Sequence, residues 1–314
     1  MTIEKRVAVV GGVRTPFRMD AQPAILPGVP RAGRYLSFSM QPDAEPATCL
    51  TAVAALDIDD GLVVGVGEPL VARFPGPVDG LRTFPALSGP GVEIPSTQHA
   101  LWCWLRGDDQ GELVNRSNAI SDSLDVAFRL EEVVDAFRFG GGELGLDLTG
   151  YEDGTENPTG DDAVDTAIVK DRGAGLDGSS FVAVQQWAHD LRTFFALPPE
   201  EQDHIIGRRK SDNAEIEDAP QSAHVKRTEQ ESFEPDAFIL RRSMPWAGQS
   251  GEGLMFVAFG ATLDAFEVQL RRMAGLEDGI ADALFRFSRA VTGGYYWCPP
   301  VFDGHADLGA LTVE

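Results

Sequence analysis

The sequence is poor in cysteine and contains no long hydrophobic run. Its three cysteines, Cys49, Cys103 and Cys298, lie far apart and form neither a CxxC pair nor a group with histidine. An odd number at such spacing argues against a disulfide scaffold and a zinc site, and favours a reducing compartment. No stretch of about eighteen residues is apolar throughout, which argues against a membrane span. The first twenty residues lack the layout of a signal peptide, so we predict a cytoplasmic protein.

Positive charge is also scarce. The chain has 26 Lys and Arg residues against 49 Asp and Glu residues, which gives a formal net charge of −23. Such a surface repels a phosphate backbone, so the composition argues against binding to nucleic acid and to anionic membranes. Neutral or cationic small molecules remain the favoured partners. Only four of the basic residues are lysines, a bias that salt adaptation and a GC-rich genome explain equally well.

The order of local patterns predicts the fold class. The 314 residues suffice for one large domain or two of about 150 residues. Strand-like and helix-like segments interleave with short gaps, and the strands are half polar, which favours antiparallel sheets with helices on one face. We therefore predict an α+β protein rather than a doubly wound parallel sheet. The glycine-rich stretch 140–145 resembles a linker, and it separates an N-terminal half (21–145) from a C-terminal half (146–314). Residues 1–20 form an extension of unknown role.

Period-two and period-3.6 patterns define the individual elements. Strands are predicted at 34–40, 62–67, 99–107, 130–139, 180–191, 238–244 and 253–260. Helices are predicted at 47–57, 118–130, 198–207, 263–275 and 280–290. In strand 99–107, alternation places Leu101, Cys103 and Leu105 on one face and Trp102 and Trp104 on the other.

The segment GYEDGTENP, residues 150–158, is the first candidate for chemistry. Its glycines, asparagine and proline predict a tight loop that could hold one carboxylate rigidly. A solvated turn is the simpler interpretation. A calcium loop of the EF-hand type fits poorly, because Pro158 interrupts the required spacing.

The five histidines form no HExxH or HxxxH pair, which excludes a zincin site. His224 follows an acidic loop, and His189 is predicted to be structural. A second candidate is the segment 238–246, where Arg241 and Ser243 follow a hydrophobic strand. Strand alternation would place these two on one face, where they could hold an anion or a developing oxyanion, and Arg242 on the other. An exposed strand edge is an equally good interpretation.

Five stretches, taken in order, resemble the dye-decolorising peroxidase family, in its B-type bacterial branch. They are GYEDGTENP (150–158), IIGRRKSDNAEI (205–216), SAHVKR (222–227), ILRRSMPWAG (239–248) and DALFRFSRAVTGGYY (282–296). The similarity covers about residues 22–300. The resemblance implies two ferredoxin-like halves with antiparallel sheets and peripheral helices, as in the dimeric α+β barrel superfamily. It also implies a haem b cofactor and a homo-oligomer.

The resemblance assigns the proximal side of the haem. His224 would be the iron ligand, and Asp282 matches the proximal acid that accepts its second N–H; an exposed helix carboxylate is an equal alternative for Asp282. Arg208 would pair with a haem propionate. The other contacts implied are Gly154, Thr155, Phe259 and Leu284. Core packing explains the last two equally well.

On the distal side the resemblance places Asp153 and Arg241, with Ser243 as an auxiliary hydrogen-bonding group. A carboxylate can move the peroxide proton, and a guanidinium can stabilise charge on the departing oxygen. The implied function is a haem peroxidase that reduces hydrogen peroxide and oxidises phenolic or dye-like donors through a ferryl intermediate. The alternative is a haem-handling protein with incidental peroxidase activity. Which of Asp153 and Arg241 dominates, and which donor is physiological, stay open.

Some segments fall outside the resemblance or carry little weight. VAVVGGVRTPF (7–17) is similar to the start of a thiolase, but no active-site cysteine context follows. The C-terminal DGHADLGALTVE (303–314) faintly resembles an encapsulin-docking tag, without a tether. Trp246, Tyr295, Tyr296 and Trp297 are candidate electron relays, although such aromatics are usually core residues.

Overall fold

The structure, a computed structural model, describes residues 20–140 and 145–312. The predicted extension, apart from Asp20, and residues 141–144 of the predicted linker therefore lie outside the described residues. The strands in the described part are β1 (Ala32–Met40), β2 (Leu62–Gly67), β3 (Leu87–Gly89), β4 (Val92–Ile94), β5 (Leu101–Gly107), β6 (Phe128–Phe137), β7 (Ser180–His189), β8 (Leu240–Arg241), β9 (Met244–Gly248), β10 (Gly251–Gly260), β11 (Ser288–Ala290), β12 (Gly294–Cys298), β13 (Val301–Phe302) and β14 (His305–Ala306).

Eight helices accompany these strands over the same residues. They are α1 (Pro46–Ala54), α2 (Glu68–Val71), α3 (Gln110–Leu124), α4 (Gly160–Ala167), α5 (Leu191–Phe195), α6 (Pro199–Ile206), α7 (His224–Arg227) and α8 (Asp264–Met273). Short 3-10 turns occupy Gln230–Ser232, Ala283–Arg286 and Gly309–Thr312. None of the described helices has the length and apolar content that crossing a membrane requires.

Eight antiparallel strands close into a barrel. Around the ring they follow the order β7, β12, β2, β5, β1, β6, β9 and β10, and β10 pairs again with β7. The short strands β11 and β8 attach to β7 and β10. Four strands of the ring precede residue 140 and four follow residue 145, so both parts of the chain build one continuous sheet. The prediction of a mixed fold with antiparallel strands is confirmed.

Two faces of the sheet form two separate apolar cores. The outer core packs against helices α1, α3 and α8, and it includes Leu101, Cys103 and Leu105 of β5. The inner core lies within the barrel and includes Trp102 and Trp104 of the same strand. The alternation predicted for this strand is therefore confirmed, and it places both tryptophans inside the barrel.

Most predicted elements are present with shifted ends. The strand 62–67 has the predicted bounds, and α6 ends at Ile206, with Gly207 as a left-handed C-cap at a φ of +93°. Helix α3 begins earlier than predicted, because the Asp109 side chain accepts a hydrogen bond from the Glu112 N–H and caps it.

The predicted helix 280–290 is wrong. The Asp282 carboxylate accepts from the Leu284 N–H at 2.8 Å and starts a 3-10 turn instead of an α-helix. Ser288 then pairs with His189 at the edge of β7, so the segment continues as β11. A side-chain cap and a long-range strand pairing together outweigh the local helical pattern.

Candidate active site

The GYEDGTENP segment forms an irregular loop that presents the Asp153 carboxylate. Gly154 has a φ of +85°, and a Cβ at this position would lie 2.6 Å from Asn157 Nδ2. Only glycine fits there without displacing the Asn157 amide. The Asn157 N–H also donates to the Gly154 carbonyl at 3.0 Å, so the turn that follows Asp153 is fixed by its own backbone.

Asn157 joins this loop to β8. Its Nδ2 donates to the Arg241 carbonyl at 3.1 Å, and its Oδ1 accepts from the Arg241 N–H at 2.7 Å. The two hydrogen bonds mimic one rung of a strand ladder, with a side-chain amide in the place of a backbone peptide. They fix the position of Arg241 relative to the loop that carries Asp153.

Asp153 and Arg241 consequently meet in one pocket. Asp153 Oδ1 lies 3.5 Å from Arg241 Nη1, and each side chain is about one-fifth exposed. Ser243 and Gly154 also line this small pocket. A carboxylate, a guanidinium and a hydroxyl thus face one small volume, which suits proton transfer and stabilisation of a developing negative charge.

Arg242 lines the same pocket, which differs from the predicted alternation. Strand β8 ends at Arg241 and β9 begins at Met244, so residues 242–243 are irregular and do not alternate. The Arg242 guanidinium donates to the carbonyls of Arg241 and Leu26. Burial lowers the pKa of Arg242 to about 10, and the neighbouring Arg106 contributes in the same direction. Both arginines still carry their charge at neutral pH.

Arg106 is a site-supporting residue that the sequence interpretation missed. It is buried at the end of β5 and donates to the carbonyls of Ala24, Pro27 and Gly28. Because Gly28 lines the pocket, Arg106 holds one wall in place. The strand pattern could have indicated this position, since Arg106 follows Trp102 and Trp104 on the same face of β5.

Gln230 is a second residue that the sequence interpretation missed. Its Nε2 donates to the Glu156 carbonyl at 3.1 Å, and its Oε1 accepts from the Ile239 N–H at 3.0 Å. It therefore ties the Asp153 loop to the segment that leads into Arg241. No local pattern around Gln230 indicates this role.

His224 and Asp282 form a separate pair, which does not line the Asp153 pocket. His224 Nδ1 lies 2.8 Å from Asp282 Oδ2, and the Asp282 side chain is fully buried. The alternative of an exposed helix carboxylate is thus wrong. His224 itself is partly exposed, and among the described residues its Nε2 has no protein partner. A histidine held in this way can bind a metal through Nε2 while a carboxylate polarises the ring.

The other residues predicted to contact the haem lie around the Asp153 pocket and the His224–Asp282 pair. Arg208 Nη2 bonds Glu156 Oε1 at 2.5 Å and Glu215 at 3.8 Å. Thr155 Oγ1 accepts from Asn213 Nδ2 at 3.0 Å. Phe259 is fully buried inside the barrel, whereas Leu284 is partly buried beside Asp282. Packing accounts for Phe259 without a cofactor.

The donor set can be tested against an iron porphyrin. In the part of the chain that is described, no group of three His, Cys, Asp or Glu residues is placed to hold a bare metal ion. His224 offers one imidazole nitrogen, so a metal bound there must bring its other ligands with it. A single carboxylate-backed imidazole fits haem iron, and it does not fit a zinc or calcium site.

Sequence comparisons agree with this chemistry. A profile described as "Dyp-type peroxidase, C-terminal" matches residues 145–303. A protein named "Dye-decolorizing peroxidase" from Mycolicibacterium paratuberculosis is 33% identical over 267 residues, which cover 82% of this chain and 71% of that protein. A protein of the same name from Mycobacterium tuberculosis is 32% identical over 76% of this chain and 73% of its own length.

Solved structures share the fold. A dyp-type peroxidase protein from Shewanella oneidensis superposes with a TM-score of 0.83 at 31% identity, over 90% of this chain and 97% of that chain. A dye-decolorizing protein from V. cholerae gives a TM-score of 0.79 at 29% identity, with 89% and 97% covered. A variant of DypB from Rhodococcus jostii RHA1, in complex with heme, gives 0.81 at 28% identity, with 90% and 97% covered.

Proposed function

The chain belongs to the Dyp-type peroxidase family and is a haem peroxidase, and we propose that Asp153, Arg241 and Ser243 act on hydrogen peroxide opposite His224. The observation that supports this assignment most strongly is the 3.5 Å approach of Asp153 to Arg241 in one pocket. The two residues lie 88 positions apart in the sequence. Haem binding alone does not require them to meet.

Several parts of the chain would hold the cofactor. Haem b, when bound, would supply the redox chemistry that links an electron donor to peroxide. His224 would bind the iron through Nε2, and Asp282 would accept the Nδ1 hydrogen and give the imidazole the electron-rich character that a peroxidase requires. Arg208 would exchange its contact with Glu156 for a propionate. Leu284, Gly154 and Thr155 would line the macrocycle, whereas Phe259 packs inside the barrel.

The distal residues would divide the work on peroxide between them. Asp153 would accept a proton from one peroxide oxygen and deliver it to the other. Arg241 would stabilise the negative charge that develops on the departing oxygen, and buried Arg242 adds positive potential behind it. Ser243 would donate a hydrogen bond into the same space. Phenolic or dye-like compounds would then supply electrons.

A haem-handling protein with incidental peroxidase activity is the second candidate. Such a protein needs His224 and contacts to the propionates, but it needs no carboxylate and guanidinium in one pocket. The pair of Asp153 and Arg241, held by the two hydrogen bonds of Asn157, favours the enzyme.

The test is to make Asp153→Ala and Arg241→Leu and to measure haem content and the rate of the Soret change after mixing with peroxide. We expect full haem loading, with a rate reduced by about two orders of magnitude or more in at least one variant. Asp122→Asn, on the exposed side of α3, is the matched control. Wild-type rates in both distal variants would contradict the assignment.

We further propose the finer features of the assembly. Residues 21–145 and 146–314 would form two ferredoxin-like halves of the dimeric α+β barrel type, which is supported by the four ring strands that each contributes. A cytoplasmic location fits the three free cysteines, and the homo-oligomer is proposed from the family resemblance alone. The tag-like C-terminus gains no support, because Leu311 is fully buried and its carbonyl accepts from the Gly76 N–H at 3.2 Å.

A further inference from the structure

The helical turn that carries His224 is too short to hold its own orientation. Helix α7 (His224–Arg227) has four residues, and no side chain caps its first N–H groups. A single turn is not stable in isolation, because fixing its backbone costs more conformational entropy than its few hydrogen bonds offset. The orientation of the His224 imidazole must therefore be set by contacts between α7 and the rest of the chain.

Arg227, the last residue of α7, makes three of these contacts. Its Nη1 donates to Asp278 Oδ2 at 2.7 Å, and its Nη2 donates to Asp278 Oδ1 at 2.8 Å. The same Nη2 donates to the Arg272 carbonyl at 2.7 Å, near the end of α8. The Arg227 side chain is buried, and its paired hydrogen bonds to one carboxylate fix an orientation as well as a distance. Arg227 thus attaches α7 to the end of α8 and to the turn that follows it.

The turn after α8 carries Asp278 and Asp282 on one short, ordered piece of backbone. Asp278 Oδ1 also accepts from the Ile280 N–H at 3.0 Å. At the other end of the turn, the Asp282 N–H donates to the Met273 carbonyl at 2.8 Å. The position of Asp278 therefore constrains the position of Asp282, four residues later.

These contacts form a closed path that begins and ends at His224. The path runs along α7 to Arg227 and crosses the ion pair to Asp278. It then follows the turn to Asp282, whose Oδ2 lies 2.8 Å from His224 Nδ1. Because the path is closed, the separation of the imidazole and the Asp282 carboxylate depends on the ion pair on its far side.

One backbone hydrogen bond joins the same two segments, but it cannot replace the ion pair. The Ala283 N–H donates to the Ser222 carbonyl at 2.7 Å, beside the proximal pair. A single contact fixes one point and leaves α7 able to rotate about it. The contacts of Arg227 at the far end of α7 remove that rotation.

The ion pair also controls the charge near the imidazole. Arg227 lies three residues after His224, and a buried guanidinium without a counter-ion would oppose the electron-rich ring that Asp282 supports. Asp278 supplies that counter-ion. The hydrogen bonds from Arg227 and from the Ile280 N–H lower the pKa of Asp278 to about 2, so this carboxylate stays charged in mildly acidic and in neutral solution.

We propose that Arg227 and Asp278 are positioning residues for the proximal histidine, which keep the His224 imidazole within hydrogen-bonding distance of Asp282. The inference rests on the proposed function, in which His224 binds the haem iron. Neither residue lines the Asp153 pocket, so their loss should change the bond between iron and histidine and leave the distal groups in place.

The first test is Asp278→Asn in the haem-loaded protein. The amide keeps an oxygen for the Ile280 N–H, but it loses the negative charge and one of the two acceptors for Arg227. We expect the resonance Raman stretch between ferrous iron and His224 to shift to lower frequency and the midpoint potential of the iron to rise. The rate of the Soret change with peroxide should fall about tenfold. An unchanged Raman frequency and midpoint potential would overturn the proposal.

Arg286→Met is the matched control. Arg286 lies four residues after Asp282 and forms an ion pair with Glu201 at 2.6 Å, but both side chains are exposed. Its Raman frequency, midpoint potential and rate with peroxide should equal those of the wild type. A shift as large as that in Asp278→Asn would overturn the proposal, because the loss of any nearby ion pair would then suffice.

A double variant separates positioning from charge. Arg227→Met combined with Asp278→Asn removes the unpaired cation together with the ion pair, so we expect the lower Raman frequency to persist. Recovery of the wild-type frequency would overturn the positioning role. Arg227→Lys keeps the charge and loses the paired hydrogen bonds, and its frequency should lie between those of the wild type and the double variant; a wild-type value in Arg227→Lys would also overturn that role.

Failure of the proposed function would give a different result. If the wild-type Soret band does not depend on His224, or does not respond to peroxide, the peroxidase assignment is wrong whatever the Arg227 and Asp278 variants show. If the wild type behaves as expected and these variants match it, only the positioning role is wrong.

Discussion

Asn157 clamps the backbone of Arg241 with two hydrogen bonds, one donated and one accepted by the same side-chain amide. The amide belongs to the loop that carries Asp153. The distance between the Asp153 carboxylate and the Arg241 guanidinium therefore depends on Asn157, which bonds the Arg241 backbone and neither charged group. Gln230 adds a further tie between the same loop and the segment before β8. Neutral amides therefore hold the Asp153 loop against Arg241, which leaves the charges of Asp153 and Arg241 free to act.

The first prediction concerns this clamp. Asn157→Ala should lower the free energy of unfolding by about 1–3 kcal/mol, because it leaves the Arg241 N–H and carbonyl without their partners. It should also slow the reaction with peroxide by about tenfold or more while sparing haem content, since Arg241 is no longer positioned. Asn157→Asp keeps the acceptor and loses the donor, so its stability and its rate with peroxide should lie between those of the wild type and Asn157→Ala. Stopped-flow absorption measures the rate, and Asn118→Ala on α3 is the control. Wild-type rates in Asn157→Ala would show that the clamp is only structural.

The second prediction concerns the proximal pair. Asp282→Asn keeps the size of the side chain and an acceptor for the Leu284 N–H, but it removes the negative charge beside His224 Nδ1. Haem affinity or the rate with peroxide should fall about 10- to 100-fold, as is usual when the partner of a metal-bound histidine is lost. Haem titration and stopped-flow absorption measure the two effects. If both equal the wild-type values, Asp282 does not tune His224.

The third prediction concerns Asp147 beneath the active-site loop. Burial by itself would raise the pKa of Asp147, but the hydrogen bonds from His189 and Thr149 outweigh it and hold the pKa below its usual 3.8. A depressed folded-state pKa stabilises the protein above the unfolded-state value, and this contribution is lost as the pH falls through the folded-state value. Asp147→Asn should therefore destabilise the protein at neutral pH and make the loss of stability below pH 3.8 shallower. Urea unfolding at a series of pH values measures how the free energy of unfolding changes with pH. If the curves for wild type and Asp147→Asn are parallel, the prediction is contradicted.

The fourth prediction concerns donor charge. With a net charge of −23, the protein should attract cationic donors and repel anionic dyes at low ionic strength, by steering rather than by tight binding. Raising the salt concentration should lower kcat/KM for a cationic donor and raise it for an anionic one. The comparison needs two donors of similar redox potential and opposite charge. If kcat/KM changes with salt in the same way for the cationic and the anionic donor, net charge does not steer donors to this protein.

Local patterns predicted the parts of this structure that depend on few residues. Strand β5 shows this most clearly, because alternation separated Trp102 and Trp104 from the leucines of the same strand, and the structure places the two tryptophans in the inner core. The αL cap at Gly207 followed from a helical pattern that ends in glycine. Asp153 and Arg241 were assigned to one site through ordered motifs, and the structure places their charged atoms 3.5 Å apart.

Features that depend on long-range contacts were not predictable in the same way. Strand β11 replaces a predicted helix because Ser288 pairs with His189, about 100 residues away. Asn157, Gln230 and Arg106 support the site through backbone groups that become neighbours only when the barrel closes. The pairing of β7 with both β10 and β12, which closes it, has no signature in any single segment.

The most direct test of the account is an absorption spectrum of the haem-reconstituted protein before and after a single equivalent of hydrogen peroxide, with wild type and His224→Ala side by side. We expect a Soret band in the wild type that shifts on addition of peroxide, and a band that is lost or strongly altered in His224→Ala. A stable wild-type band that ignores peroxide would contradict the peroxidase assignment. A band that is identical in His224→Ala would show that another residue binds the iron.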